Sequence, residues 1–191
     1  MPYNLQPRCR WCNLGNPLYV KYHDTEWCVP VHDDCKLFEV LVLEGFQAGL
    51  SWECILNKRE AFREAFDGFD CNKVAQYNAS KQENLRQREG IVRNRLKISA
   101  AVGNARAFLK IQSEFGSFDR YIWGFTCGRT IRECGRTKSP LSDTVSKDLK
   151  KRGMKFVGST IVYSYLQAIG VIYSHEENCW LYRGNSGYLL P

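Results

Sequence analysis

The sequence predicts an all-α fold, and three observations carry that prediction. Apolar residues recur at helical spacing, most clearly at Ile98, Ala101, Val102, Ala105, Phe108 and Leu109. Residues that stop or start helices fall between such stretches, with Gly90, Gly153 and Gly170 at ends and Asp, Ser or Asn at beginnings. Alternating strand patterns are scarce, and no repeat or low-complexity tract interrupts the chain.

Taken in order, residues 9–32 read as an irregular segment dense in Cys, His and aromatics, with a turn at Gly15-Asn16-Pro17 and Pro30 blocking helix continuation. Asp33 or Asp34 then caps a helix that runs through LFEVLVLEGFQ. An amphipathic helix follows over 57–66 and a short helical turn over 72–78. Ser80-x-x-Glu83 has the form of a capping box opening a polar helix to about Glu89, which Gly90 ends. Ile91 and Val92 form an apolar turn, and a long helix begins near Asn94. Residues 116–141, rich in Gly, Ser, Thr and aromatics, read as short turns and loop. Ser142 or Asp143 caps a basic helix over 144–152, and a last helix covers roughly 158–169.

Composition narrows the function. At 191 residues the chain makes one unit, with a helical core over about 33–170 and a segment at each end. A hydrophobic share of 44% excludes a disordered chain. No apolar run reaches membrane-span length, and MPYNLQPRCR lacks the apolar centre of a signal peptide, which points to a cytoplasmic, nucleoid-associated protein with no membrane partner. Nine cysteines, an odd number, argue for reduced thiols rather than a disulfide framework. A net charge of +7 suits a polyanionic partner.

One carboxylate stands out. On a 3.6-residue period Glu44 shares a face with Leu37, Val40, Leu41 and Ala48, whereas Glu39 lies round the helix within a turn of Lys36, where it can reach the surface. A carboxylate facing an apolar interior has a raised pKa, a common property of functional acids. Beyond it, Gln47-Ala48-Gly49-Leu50-Ser51-Trp52 is a small-residue break followed by an exposed Leu and an indole.

Metal ligands are available in two arrangements. His175 and Cys179, four apart, point the same way on a helical turn and can join Cys9 and His23 in a Cys2His2 set linking the chain's two ends. Equally, Cys9, Cys12, His23 and Cys28 can form a local zinc knuckle. Between Arg86 and Lys97, RQREGIVRNRLK concentrates five cations around Gly90 and a helix start, an arrangement suited to a phosphate through Arg93, Arg95 and Lys97. A second basic group, Lys147, Lys150, Lys151, Arg152 and Lys155, precedes Gly158-Ser159-Thr160.

From about Arg8 to Cys179 the chain resembles the type I 3-methyladenine DNA glycosylases, the constitutive bacterial enzymes of the helix-hairpin-helix glycosylase superfamily. The resemblance rests on Arg8-Cys9-x-Trp11, PLYVKYHDTEW (17–27), LEGFQAGLSW (43–52), GIVRNRLKISAAVGNARAF (90–108), LKKRGMKFVGSTIVYS (149–164) and His175-x3-Cys179. It implies a helix-hairpin-helix fold and structural Zn2+ on Cys9, His23, His175 and Cys179. It also implies a base pocket of Tyr19, Tyr22, Trp27, Trp52 and the catalytic Glu44, and a DNA wedge over Gln47, Gly49 and Leu50. Gly90, Arg93, Arg95 and Lys97 complete the implied DNA contacts. The sequence departs from the pattern in the extra thiols Cys12 and Cys28, in a residue inserted between Cys9 and Pro17, and in Leu96 where the pattern has glycine. The hairpin has no Pro-Gly pair, and the tail after Cys179 has no assignment.

The implied activity is excision of 3-methyladenine from alkylated duplex DNA by a monofunctional enzyme, for which a monomer suffices. A base alkylated at N3 leaves as a neutral molecule, so little acid catalysis is needed, while stacked rings favour the cationic base by roughly 0.5–2 kcal/mol per contact. Tyr22 and Trp52 are expected to sandwich it, with an ionised Glu44 accepting from the exocyclic amine. No lysine is placed by motif for Schiff-base chemistry, and Asp119 is an outside catalytic candidate. The competing readings are a non-catalytic DNA- or nucleotide-binding zinc protein and a structural zinc protein with no DNA role.

Overall fold

A computed structural model describes residues 6–183 and 188–189 of the chain. Ten α-helices and a small three-stranded sheet are present among these residues. They are α1 (Pro17–Thr25), α2 (Asp34–Gln47), α3 (Trp52–Leu56), α4 (Arg59–Ala65), α5 (Cys71–Ala75), α6 (Ala79–Gln87), α7 (Arg95–Phe115), α8 (Phe118–Gly124), α9 (Pro140–Lys151) and α10 (Ser159–Ala168). No described helix is long and apolar enough to cross a membrane.

Several differences from the sequence reading are matters of capping. Asn16-Pro17, read as a turn, instead starts α1: the Asn16 side chain accepts from the amides of Leu18 and Tyr19, and Pro17 needs no donor at the first position. Asn78, rather than Ser80, caps α6. Ser139 caps α9 in a reciprocal box with Ser142, so that helix starts earlier than expected. Ser117 caps α8 inside the stretch read as loop, and Gly116 at φ +86° ends α7 immediately before it. Asp33 caps α2 and Asn94 caps α7 as expected.

Helix α2 is the central element. Leu37, Phe38, Val40, Leu41, Val42, Leu43 and Phe46 are all buried, and α7, α8, α10 and α3 pack around it. A helix apolar all round is what a central helix must be. Burial extends to Glu39, which is 7% exposed rather than at the surface. It accepts from Arg59 Nε at 2.6 Å and Arg63 Nη2 at 2.9 Å, with Lys36 Nζ at 3.4 Å, and Arg59 also holds Glu26 at 2.8 Å. Burial penalises the Glu39 carboxylate, but the Arg59 guanidinium outweighs it, and its pKa stays below the usual range. Arg59→Met is therefore expected to destabilise the protein by about 3 kcal/mol in chemical unfolding, because it strands a buried carboxylate, with Glu39→Gln in the same background recovering part of the loss.

The N-terminal segment is strapped across the end of α10. Cys28 N donates to Gln167 O and Val31 N to Ile169 O, both at 3.0 Å. The strap crosses so close that a Cβ on Gly170, at φ +76°, would lie 2.4–2.6 Å from the Val29–Pro30 backbone; only glycine fits. Beyond it the all-α expectation gives way locally. Strands β1 (Thr130–Arg132), β2 (Ile172–Tyr173) and β3 (Tyr188–Leu189) form a sheet in the order β2-β1-β3, with β1 parallel to β2 and antiparallel to β3. Strands this short carry too few residues for an alternating pattern to register.

Candidate active site and metal clasp

Helices α1, α2 and α3 turn their side chains into one cavity of about 310 Å³, at the small end of ligand cavities. Tyr19 and Tyr22 come from α1, Trp27 follows its end, Glu44 and Gln47 come from α2, and Trp52 opens α3. All six were singled out in the sequence, and the fold brings them together. Trp11 also lines the cavity and was missed as a wall residue, although it stands in the Arg8-Cys9-x-Trp11 block. The opposite rim is made by Cys134, Gly135 and Arg136 after β1 and by Ser164 and Gln167 of α10. Ser164 ends the LKKRGMKFVGSTIVYS block, whereas nothing in the local pattern of Cys134, Gly135 and Arg136 marks them, and the pairing of β1 with β2 carries them to the site.

Glu44 is 2% exposed and its Oε2 is buried with no hydrogen-bond partner. Burial alone holds its carboxyl well above the usual carboxylate range. This is the raised pKa expected of a carboxylate that faces an apolar interior, since a buried charge without a cation is costly. Gln47 Oε1 and Trp52 Nε1 are likewise buried without partners. Such orphaned polar atoms are uncommon in folded proteins and mark places where something else supplies the bond.

The expected sandwich is corrected. Tyr22 and Trp52 rings pack on each other, centroids 5.2 Å apart and tilted by 47°. A flat ring between two others needs ~7 Å, twice a carbon contact distance. In this geometry the two rings form one continuous wall. Trp11 and Trp27, with centroids 4.7 Å apart and edge to face, form another part of the lining.

Behind the aromatic wall, Cys9, His23, His175 and Cys179 come together from the two ends of the chain. Their four ligand atoms lie within 4.8 Å of one another, all buried. Cys9 Sγ is 3.6 Å from His175 Nδ1, and Cys179 Sγ is 3.5 Å from both His175 Nδ1 and His23 Nε2. Ideal tetrahedral metal–sulfur and metal–nitrogen bonds place S and N ~3.5 Å apart, so the residues fit a metal ion. His23 directs Nδ1 at Asp24 Oδ1, 2.8 Å away, and Arg8 clamps that carboxylate with two N–H groups at 2.8 and 2.7 Å. This is the outer support that fixes a ligating imidazole. Burial also holds both imidazoles neutral, pushing His175 down to about 4. The local knuckle is excluded from this arrangement. Cys12 Sγ turns to the Tyr19 carbonyl at 3.9 Å, and Cys28 Sγ accepts from Ser174 N at 3.3 Å. The clasp touches the cavity directly, because Trp11 and Trp27 pack on His23 and Trp27 on His175.

The basic turn between α6 and α7 is less available than its sequence suggests. Arg86 pairs with Glu83 and Arg88 with Glu64. Lys97 is 7% exposed, and its Nζ donates to Phe46 O at 2.7 Å and Ala48 O at 2.6 Å. Its place among the DNA contacts is thereby corrected, for a buried amine spent on two carbonyls cannot reach a phosphate. It instead ties α7 to the Gln47–Leu50 loop. Arg93 and Arg95 remain exposed, and a Cβ on Gly90, at φ +83°, would lie 2.9 Å from Ala61 Cβ. Asn94 occupies the leading amides of α7, whereas α10 starts at Gly158 with no side-chain cap, beside exposed Lys155. Asp119 lies elsewhere, its Oδ1 2.7 Å from His32 Nδ1, and it does not line the cavity.

The cavity is walled by aromatic rings and lined by one buried carboxyl group, and comparison with known proteins gives the family. Residues 11–182 match the family model described as methyladenine glycosylase, and the chain belongs to that family. It is 46% identical to DNA-3-methyladenine glycosylase 1 of Escherichia coli (strain K12) over 185 residues, 93% of this chain and 98% of that protein. Its structure is similar to that of 3-methyladenine DNA glycosylase I, with a TM-score of 0.89 at 43% identity, covering 93% of this chain and 100% of the other. It is also similar to a variant of 3-methyladenine DNA glycosylase I solved in complex with 3-methyladenine, with a TM-score of 0.86 at 37% identity and coverage of 90% and 97%.

Proposed function

We propose that the protein hydrolyses the N-glycosidic bond of 3-methyladenine in alkylated duplex DNA, as a monofunctional glycosylase of base-excision repair. The observation that carries this reading is the partnerless Oε2 of Glu44 in an aromatic cavity of one-base size. A nucleotide alkylated at N3 brings a cation into that cavity. The cation compensates the buried charge, Glu44 gives up its proton to solvent, and its carboxylate accepts from the exocyclic amine. A neutral adenine offers no such compensation and leaves the charge penalty in place, which supports discrimination against ordinary bases. The rings of Tyr22 and Trp52 then present one stacked wall to the positive ring. As the glycosidic bond lengthens, the Glu44 charge favours the electron-poor sugar of the transition state.

The extruded nucleotide has to be replaced in the stack, and the exposure of Leu50 in the loop after α2 supports that role for it. Gly49 at φ +78° gives that loop its turn, and Gln47 contributes from its base. The amides of α10 at Gly158–Ser159 and the exposed Lys155, Arg93 and Arg95 supply phosphate contacts. Zn2+ is the metal we assign to Cys9, His23, His175 and Cys179, where a closed four-ligand set serves structure rather than chemistry. Every residue invoked comes from one chain, so a monomer suffices.

Release of free base from methylated duplex DNA, with the products separated and identified, tests the proposal. Liberation of 3-methyladenine is expected. Salt-dependent retardation of the DNA with no free base would instead make the protein a non-catalytic binding module, and absence of any DNA affinity would reduce it to a metal-stabilised structural protein.

A further inference from the structure

We propose that Leu96 is a second apolar prong of the DNA-binding face, seated against the base step next to the one that Leu50 enters. This rests on the glycosylase reading of the cavity and adds a contact that the reading does not require.

Leu96 is 69% exposed, the highest value among the large hydrophobic residues described, and it lies in the first turn of α7. Its sequence neighbour Lys97 points inward and donates to the carbonyls of Phe46 and Ala48. That tether docks the start of α7 on the end of α2, within one lysine length of Ala48 and two residues from Leu50, itself 43% exposed. Two bare leucines are thus carried on neighbouring arms that one buried amine locks together. Asn94 fixes the second arm further, its side chain accepting from the amides of Leu96 and Lys97. Covering both leucines with one partner would remove their apolar surface from water.

The surroundings identify the partner. Exposed Arg93 and Arg95 immediately precede Leu96 in the chain, so two cations stand on the same turn as the leucine. A partner that offers an apolar seat between anionic rails is a duplex, with the faces of partly unstacked bases as the seat and phosphates as the rails. Lys97 makes no phosphate contact in this arrangement and acts as a positioning residue for both prongs.

The test uses the full chain and a duplex carrying an abasic-site analogue with 2-aminopurine at the neighbouring base step, comparing wild type, Leu96→Ala and Leu96→Met. In wild type, binding should raise the 2-aminopurine fluorescence. Leu96→Ala should weaken binding to this duplex about tenfold, from loss of one buried leucine, and remove most of the fluorescence rise. Leu96→Met should restore both, and binding of free 3-methyladenine, followed by tryptophan fluorescence, should be the same in all three. Wild-type affinity and fluorescence in Leu96→Ala would overturn the proposal. So would an equal loss of affinity on undamaged duplex with the fluorescence rise intact, or a change in sedimentation with no change in DNA binding, which would make the patch a contact between copies of the chain. If wild type released no base from methylated DNA, the glycosylase reading would fail, while the fluorescence comparison would still decide where Leu96 sits.

Discussion

Glu44→Gln should slow release of 3-methyladenine from methylated duplex by about 10²–10³-fold in single-turnover assays, the range seen when one electrostatic contact to a transition state is removed. The isosteric amide keeps the shape of the cavity floor and can still accept from the exocyclic amine. What it removes is the charge. A second readout separates this from misfolding. Because burial raises the Glu44 pKa in the folded state, the native protein holds a proton that the unfolded chain gives up as pH rises past the ordinary glutamate value. Stability contributed by this group is present at acid pH and declines as pH rises toward the folded-state pKa. Glu44→Gln abolishes that decline, so the variant should be at least as stable as wild type at pH 5 and increasingly more stable at pH 7 and 8. An inactive variant that is less stable across this range would show that Glu44 is structural, and a wild-type rate of excision would end its catalytic role.

Removing the Zn2+ proposed for the Cys/His cluster should produce the largest loss of stability. The four ligands join Cys9 to Cys179 across nearly the whole chain, and closing a loop of that length is worth roughly 4–5 kcal/mol on chain entropy alone. Prolonged chelation, or Cys179→Ser, is expected to lower the melting temperature by on the order of 10 °C. Elemental analysis is expected to find one zinc per chain in wild type and none in Cys179→Ser, which should lose sensitivity to chelator at the same time. Trp11 and Trp27 rest on the two histidines, so tryptophan fluorescence should change in parallel, reporting the cavity wall as it loosens. A wild-type protein that contains no zinc and melts identically with and without chelator would show that the four side chains close the fold without an ion.

Much of the scaffold was legible because it is local. The faces of α2 and α7 follow from residue spacing alone, and Asp33 and Asn94 cap them as read. Where local signals competed, the reading slipped by a few residues or inverted. Asn16-Pro17 serves a turn and a helix start equally well, and only the amides of Leu18 and Tyr19 following in helical geometry decide between them. Ser139 and Ser142 are both good caps, and the structure uses one at each end of a reciprocal pair.

The sequence by itself put Glu44 among apolar residues on one face of α2, while the same periodicity misplaced Glu39, which the fold also buries. It also determined which aromatic and ligating residue types were at hand. Only the tertiary structure decided their partners. Glu39 gains Arg59 and Arg63 from α4, which hold its pKa below the usual range, while Glu44, five residues along the same helix, meets no cation and burial pushes its carboxyl well above that range. Lys97 folds inward onto two carbonyls while Arg95 beside it stays out. Cys9 chooses Cys179 over Cys12. Periodicity and capping depend on neighbours within a turn or two, whereas the partner of a charged or ligating side chain is set by whichever distant segment the fold lays against it.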